Sequence, residues 1–373
     1  MIDVRSGQEI PDVVVFIEKN KITGVGSRLK ISDTVQVIAL GDVTLLPGLI
    51  DAHTHLLHQY YTRYGDDNSN RLLEMIQLGP AKRALLGVRL AREMLEAGFT
   101  TVRDLGNSSI NADIALRDAI NNGDVPGPRM FVSTRAISPV GGQFQAVTPE
   151  AQQLLNQEYV QISGVEEARK AVRQAIYDGA DCIKVIANSG SRRLSLEEMK
   201  VIVEEAKRAN LPVAVHATDG DGPAMTAVEA GVSSIEHAYT VSETVLNLMA
   251  KKNIFLVPTD AAGVPKYQER IKRALKAGVR IAIGSDLYYE YPSKTRGQMS
   301  AGMYKTYVAS GMSAIEVLRA ATLNPAELIG NSFIGAIEVG RFADIIAVKG
   351  NPITDISELE EVVFVMKDGK VYK

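Results

Sequence analysis

LPGLIDAHTH, residues 46–55, places two of the chain's five histidines one residue apart at the end of a segment that otherwise reads as a buried strand. A packed interior has little use for two imidazoles, because each ring nitrogen taken out of water needs a partner. In an extended segment, side chains two residues apart share a face, so His53 and His55 point to the same side. Either neighbours near a loop satisfy both rings, or the pair serves a ligand. The distribution of the other rare residues decides between them.

Segments like 45–53 recur along the chain: FTTVRDL (99–105), RMFVST (129–134), CIKVIA (182–187), PVAVHA (212–217), SSIEHA (233–238), IFLVPT (254–259) and RIAIGSD (280–286). Each is short and rich in β-branched or aromatic residues, and amphipathic helical patterns separate them. Three of these patterns span 81–98, 165–180 and 196–210, ending at glycine, alanine or asparagine near the positions where a helix C-terminus favours a left-handed residue. Eight strand–helix alternations over about 240 residues predict an α/β fold of the (β/α)₈ TIM-barrel type. The ends read differently, as short strands and turns (VVVFIEKNKITGVG and VQVIALGDVTLLPG; GAIEVGRFADIIAVKGNP and VVFVMKDGKVYK). The expected organisation is a small β-sandwich from residues 1–45 plus 334–373 and a barrel domain over 46–333.

His216 ends the PVAVH strand, His237 ends SSIEH and Asp286 ends RIAIGSD. Four of the five histidines and one aspartate therefore lie at the carboxyl ends of expected barrel strands, the face on which sites of this architecture are built. Packing gives no reason for that coincidence; shared metal ligation by imidazole nitrogen does. Lys184 puts an amine into the apolar strand CIKVIA. Alone it could run its ammonium to the rim or pair with a carboxylate. Beside two dications the ammonium is repelled, the neutral amine is favoured, and that amine can take up carbon dioxide as an anionic carbamate able to bridge two metals.

The composition excludes several other functions. Of 373 residues 46% are hydrophobic, ample for a large core, and 41 Lys and Arg against 44 Asp and Glu leave a formal charge of -3 without a basic block. Neither nucleic acid nor an anionic membrane is expected as a partner; a small-molecule or dipeptide substrate is, within a homo-oligomer. The single cysteine, Cys182, excludes an internal disulfide framework and fits a reducing compartment. No apolar run has the length of a membrane span and no signal peptide is visible, so a cytoplasmic location is expected.

The order H-x-H, strand lysine, His, His, Asp, together with PGLIDAHTH, IEHA, GSD, ATLNPAELIG and GAIEVGRFADIIAV, resembles the metal-dependent amidohydrolase superfamily in its binuclear form. Within it the chain is most similar to the imidazolonepropionase-related, prolidase-like branch. The resemblance implies two divalent metal ions, zinc being the first expectation and manganese, cobalt or iron also fitting. His53, His55 and Asp286 would hold the more buried ion and His216 and His237 the more exposed one, with carboxylated Lys184 and a hydroxide bridging them. Asp286 would accept the proton of the attacking water and pass it to the departing amine. The start, MIDVRSGQEIPD, is similar to the second strand of relatives, which leaves room for an earlier strand or an export signal.

Around this set, Tyr239 in EHAYT resembles a position from which relatives direct a phenol at the scissile carbonyl; the alternative is a rim aromatic packed on the next loop. Arg103 and Asp104 are expected to pair and brace the mouth. His58, in a tyrosine-rich loop, is a candidate substrate contact. Gln143 in PVGGQF stands where relatives carry a histidine. Arg192 and Arg193, on the loop after Lys184, could clamp a substrate carboxylate or simply be solvated. The expected activity is hydrolysis of an amide, a dipeptide or N-acyl amino acid, in prolidase- or carboxypeptidase-like fashion. A ring amide, carbamate or urea is the alternative substrate, and a binding scaffold without chemistry the alternative of another class.

Overall fold

The computed structural model describes residues 1–27, 29–260 and 265–373. Strand Leu49–Thr54 is buried at every position, as a strand covered on both faces must be. It follows strand Thr44–Pro47 directly, because Gly48 at the junction leaves room for Thr100; a Cβ there would stand 2.0 Å from the threonine Oγ1. Leu49–Thr54 runs parallel to Phe99–Asp104, which runs parallel to Arg129–Val132. A second, six-stranded parallel sheet has the order Phe255–Val257, Ser234–His237, Val213–Ala217, Ile183–Ile186, Ala136–Pro139, Tyr159–Ile162.

Backbone hydrogen bonds join the two sheets. The Asp181 amide donates to the Val132 carbonyl at 2.8 Å. On the other side Leu256 N donates to Arg280 O (2.9 Å), Ala282 N to Leu256 O (3.0 Å) and Ala52 N to Ile283 O (2.9 Å). The result is a TIM-barrel-like α/β fold. Helices Pro80–Glu96, Val165–Asp178 and Leu196–Arg208 form where the amphipathic patterns predict them. A capping box between Ser195 and Glu198 starts the third, and left-handed Gly179 stops the second. Apolar residues of the strands and of the inner helix faces make the main core, where each buried Leu, Ile or Val adds about 1.5–3 kcal/mol.

Two expectations need correction. Residues 280–286 make only an isolated bridge, Leu256 to Ile281, because the chain leaves the ladder to bind Asp51: the Asp51 carboxylate accepts the Ser285 amide at 2.9 Å. The strand at 129–134 stops at Val132, Thr134 takes a left-handed φ of 59°, and the chain then forms two strands the sequence pattern hides, Ala136–Pro139 and Tyr159–Ile162. Those two carry the turn that holds Gln143.

At the ends, Val14–Glu18 and Lys21–Gly26 form a hairpin, and Thr44–Pro47, Ile345–Val348, Val362–Lys367 and Lys370–Val371 form a four-stranded antiparallel sheet. Ile22, Ile345, Ala347, Phe364 and Met366 share a separate apolar cluster with Val15, Ile17 and Leu45. Residues 35–43 are not a strand. Among the described residues no helix is long and apolar enough to cross a membrane.

Candidate metal centre

The strand ends converge. His53 is fully buried, and its Nδ1 lies 2.7 Å from Glu236 Oε2. A carboxylate can only accept, so Nδ1 carries the proton and Nε2 keeps its lone pair. That lone pair faces Lys184 Nζ at 3.3 Å and Asp286 Oδ1 at 3.6 Å. His55 repeats the logic: Nδ1 donates to the Gly106 carbonyl at 2.8 Å, and Nε2 stands 3.1 Å from Asp286 Oδ1. At His237 the Thr259 hydroxyl gives its proton to the Pro258 carbonyl (2.6 Å) and so accepts from Nδ1 (2.8 Å), again freeing Nε2.

One ligand atom each from His53, His237 and Asp286 lies within 4.8 Å of the others, a group that could hold a metal ion. His216 adjoins it, its ring centroid 4.5 Å from that of His237. Burial, seconded by the Lys184 charge, lowers the His216 imidazolium to about 3 and that of His53 well below its usual value. Burial, with His216 beside it, does the same for His237. All three are therefore neutral rings, the form in which imidazole binds metal. Burial also brings Lys184 down to about 8, against the pull of Glu236 and Asp286, which raises the share of neutral amine. Nitrogen donors with free lone pairs, one carboxylate and an amine make a donor set that fits a divalent transition metal.

The backbone contributes too. His237, Thr259 and Asp286 all have left-handed φ, 69°, 61° and 51°. For residues other than glycine this costs on the order of 1 kcal/mol each and is characteristic of functional sites. Asp286 is held there by its amide, which donates to the His53 carbonyl at 2.8 Å. Gly284 makes the approach possible, since a Cβ at that position would stand 2.6 Å from His53 Cβ.

The sequence pattern does not single out Glu236 or its link to Arg103. Wholly buried, it accepts from Arg103 Nη2 at 2.9 Å and from His53, so one carboxylate orients the ring and cancels the guanidinium charge. The expected Arg103–Asp104 pair does not form, because neighbours on a strand point to opposite faces. Asp104 instead accepts from Thr54 Oγ1 (3.0 Å) and the Leu56 amide (2.6 Å), fixing the turn after H-x-H.

Tyr239 reaches the rim. Its ring is 5.6 Å from that of His237, Arg270 covers its face at 4.9 Å, and its hydroxyl is 3.5 Å from Thr259 Oγ1. Burial keeps it a phenol, with its pKa pushed up to about 12. Gln143 Nε2 lies 3.4 Å from His216 Nε2. His58 does not join the cluster: its ring is turned into a buried group with Glu74, beside Arg83 and Glu158. Arg192 spends its donors on the Val140 and Phe144 carbonyls and on Ser189 Oγ, bracing the turn of Gln143, and Arg193 is exposed.

Parallel strands that bring imidazoles, a carboxylate and a buried amine to one rim define a class, the metal-dependent hydrolases built on a TIM-barrel-like fold. The chain belongs to the amidohydrolase family: the profile described as "Amidohydrolase family" matches residues 44–372. It is a hydrolase acting on C–N bonds, of the imidazolonepropionase- and prolidase-like branch. Ochratoxinase of Aspergillus niger is 32% identical over 88% of this chain and 75% of that protein. Imidazolonepropionase of Fusobacterium nucleatum subsp. nucleatum is 24% identical over 89% and 83%. The crystal structure of a Xaa-Pro dipeptidase with bound methionine in the active site matches with a TM-score of 0.87 at 31% identity, covering 100% of this chain and 97% of that one.

Proposed function

We propose that the protein hydrolyses an amide whose amine-side residue carries a free carboxylate, a dipeptide or an N-acyl amino acid. The observation that carries the reading is the meeting of His53, His237, Asp286 and Lys184 around one point, each histidine with its outer nitrogen already tied down. In this reading His53, His55, Lys184, His216, His237 and Asp286 hold two divalent ions, zinc by preference, with Lys184 carboxylated. Such ions supply Lewis acidity, polarising the amide carbonyl and making water acidic enough to attack near neutral pH. The dipeptidase relative with methionine in its active site supports a substrate that presents an amino-acid carboxylate.

The chain's own groups do the rest. Asp286, placed 3.1 Å from His55 Nε2, takes the proton of the attacking water and gives it to the leaving nitrogen. Glu236 and Arg103 keep the His53 ring from rotating. Tyr239 donates its phenol proton toward the carbonyl oxygen as charge develops there. Residues 46–333 form the hydrolase barrel, and residues 1–45 with 334–373 its supporting β-sandwich.

A screen of dipeptides, N-acyl amino acids, carbamates and lactams against the metal-loaded enzyme tests this. The fastest substrates should carry the free carboxylate next to the scissile amide; equal rates with neutral carbamates or lactams would replace the reading. Tyr239→Phe should lower turnover by roughly ten- to a thousandfold while KM moves little, because the phenol is used chiefly in the transition state. Unchanged turnover would return Tyr239 to rim packing.

A further inference from the structure

Most of the buried arginines near this rim have their donors committed, to carboxylates or to backbone carbonyls. Arg103 has Glu236, Arg83 has Glu158, Arg270 has Asp260, and Arg296 serves the carbonyls of His55 and His58. Arg192 is committed to loop carbonyls. Arg71, on helix Asp67–Gln77, donates through Nε to the Tyr60 phenol, and among the described residues no carboxylate pairs with it.

Two chains of contacts link it to the reaction centre. On one, the Tyr60 ring packs 4.8 Å from Tyr288, which stands 6.3 Å from the His55 ring. On the other, the guanidinium is 6.0 Å from the centre of Phe144, whose neighbour Tyr159 donates to Gln143 Oε1 at 3.1 Å; Gln143 in turn reaches His216. A guanidinium among phenols and phenyl rings, near a cluster built for cations, calls for an anion between itself and that cluster. With Nε engaged, its remaining fork of donors matches a carboxylate.

We infer that Arg71 is the anion subsite of this hydrolase and receives the substrate's free carboxylate, with Gln143 and Tyr288 flanking it. The role rests on the proposed cleavage of carboxylate-bearing amides and supplies the residue for it, in place of Arg192 or Arg193. It also predicts the side on which the amine half of the substrate lies, against Tyr60, Phe144 and Tyr288.

The test pairs turnover with equilibrium binding. For the metal-loaded wild type, Arg71→Met and Arg71→Lys, kcat/KM is measured on N-acetyl-L-methionine and on its carboxamide. Binding of the uncleavable L-methionine and L-methioninamide is followed by calorimetry. Arg71→Met should lose roughly 30- to 1,000-fold on the acid, mainly in KM, and far less on the amide, as expected when a charge pair loses one partner. Arg71→Lys should fall between, since an ammonium keeps charge without the planar fork. Affinity for methionine should drop with the acid activity, and affinity for methioninamide should not follow. An acid-to-amide ratio that survives in Arg71→Met overturns the role and leaves the hydrolase reading standing. Weakened methionine binding in a protein whose wild type cleaves amide and acid equally fast keeps the role and sinks the substrate reading. Should Arg71→Met not fold, the Arg71→Lys ratio decides, and an unchanged ratio there is equally fatal.

Discussion

Lys184→Ala is expected to purify with far less divalent metal than the parent, for which two ions per chain are proposed, and to be inactive within detection. Lys184 is 3% exposed, its Nζ is 3.3 Å from the free nitrogen of His53, and its strand pairs directly with the one that carries His216. Alanine removes the amine that faces the free nitrogen of His53. If the amine acts as a carbamate, the lost function is a bridging carboxylate, and small carboxylic acids at millimolar concentration should restore part of both metal content and turnover. Elemental analysis beside a rate measurement, with and without added acetate or propionate, reads both. A fully loaded and active alanine variant would show that Lys184 is only a buried amine with a lowered pKa.

The convergence of the histidines, Lys184 and Asp286 was legible because such residues are rare at strand ends and their positions repeat. Histidine at a strand end is uncommon enough that four such placements carry information, and Asp286 follows the same rule. Glu236 and Arg71 were missed for the opposite reason. Acids and arginines are common, and only packing shows that one is buried against His53 and the other, among the described residues, pairs with no carboxylate. Glu236 did leave a trace: Ser234 and Glu236 alternate in SIEH, so two polar side chains share one face of a strand whose neighbours are apolar, and that face is where Arg103 lies. The same alternation rule tells against an Arg103–Asp104 pair. The strands at 136–139 and 159–162 escaped because AISP and YVQI are short and are separated by a turn-rich segment, so long-range pairing and not local pattern defines them. The termini were read as strands and turns; the pattern held over 14–26 and in the C-terminal strands but not over 35–43, and it did not show register, since Thr44–Pro47 finds its partner about 300 residues away in Ile345–Val348.

Asp286→Asn should keep the fold and lower turnover by roughly a thousandfold or more, about 4 kcal/mol in the barrier at 1.36 kcal/mol per decade. The substitution is conservative for the backbone, because Asn tolerates the left-handed φ of 51° found here as well as Asp does. It is not conservative for the chemistry. Burial would raise the pKa of this carboxylate, but positive charge beside it, that of Lys184 included, outweighs burial and leaves it below the ordinary value, so it stands ionised and ready to accept a proton. The amide of Asn cannot accept that proton or deliver it, and it also removes one negative charge 3.1 Å from His55 Nε2. Circular dichroism and thermal melting should therefore change little, while metal content falls partly and turnover falls far more than metal content explains. The size of the loss should depend on the leaving group: an amide of an electron-poor aniline, whose nitrogen departs with less need of a proton, should suffer less than an amide of an alkyl amine. Turnover within tenfold of the parent on alkyl amides, with metal content matched, would remove Asp286 from proton transfer and leave it as a ligand alone.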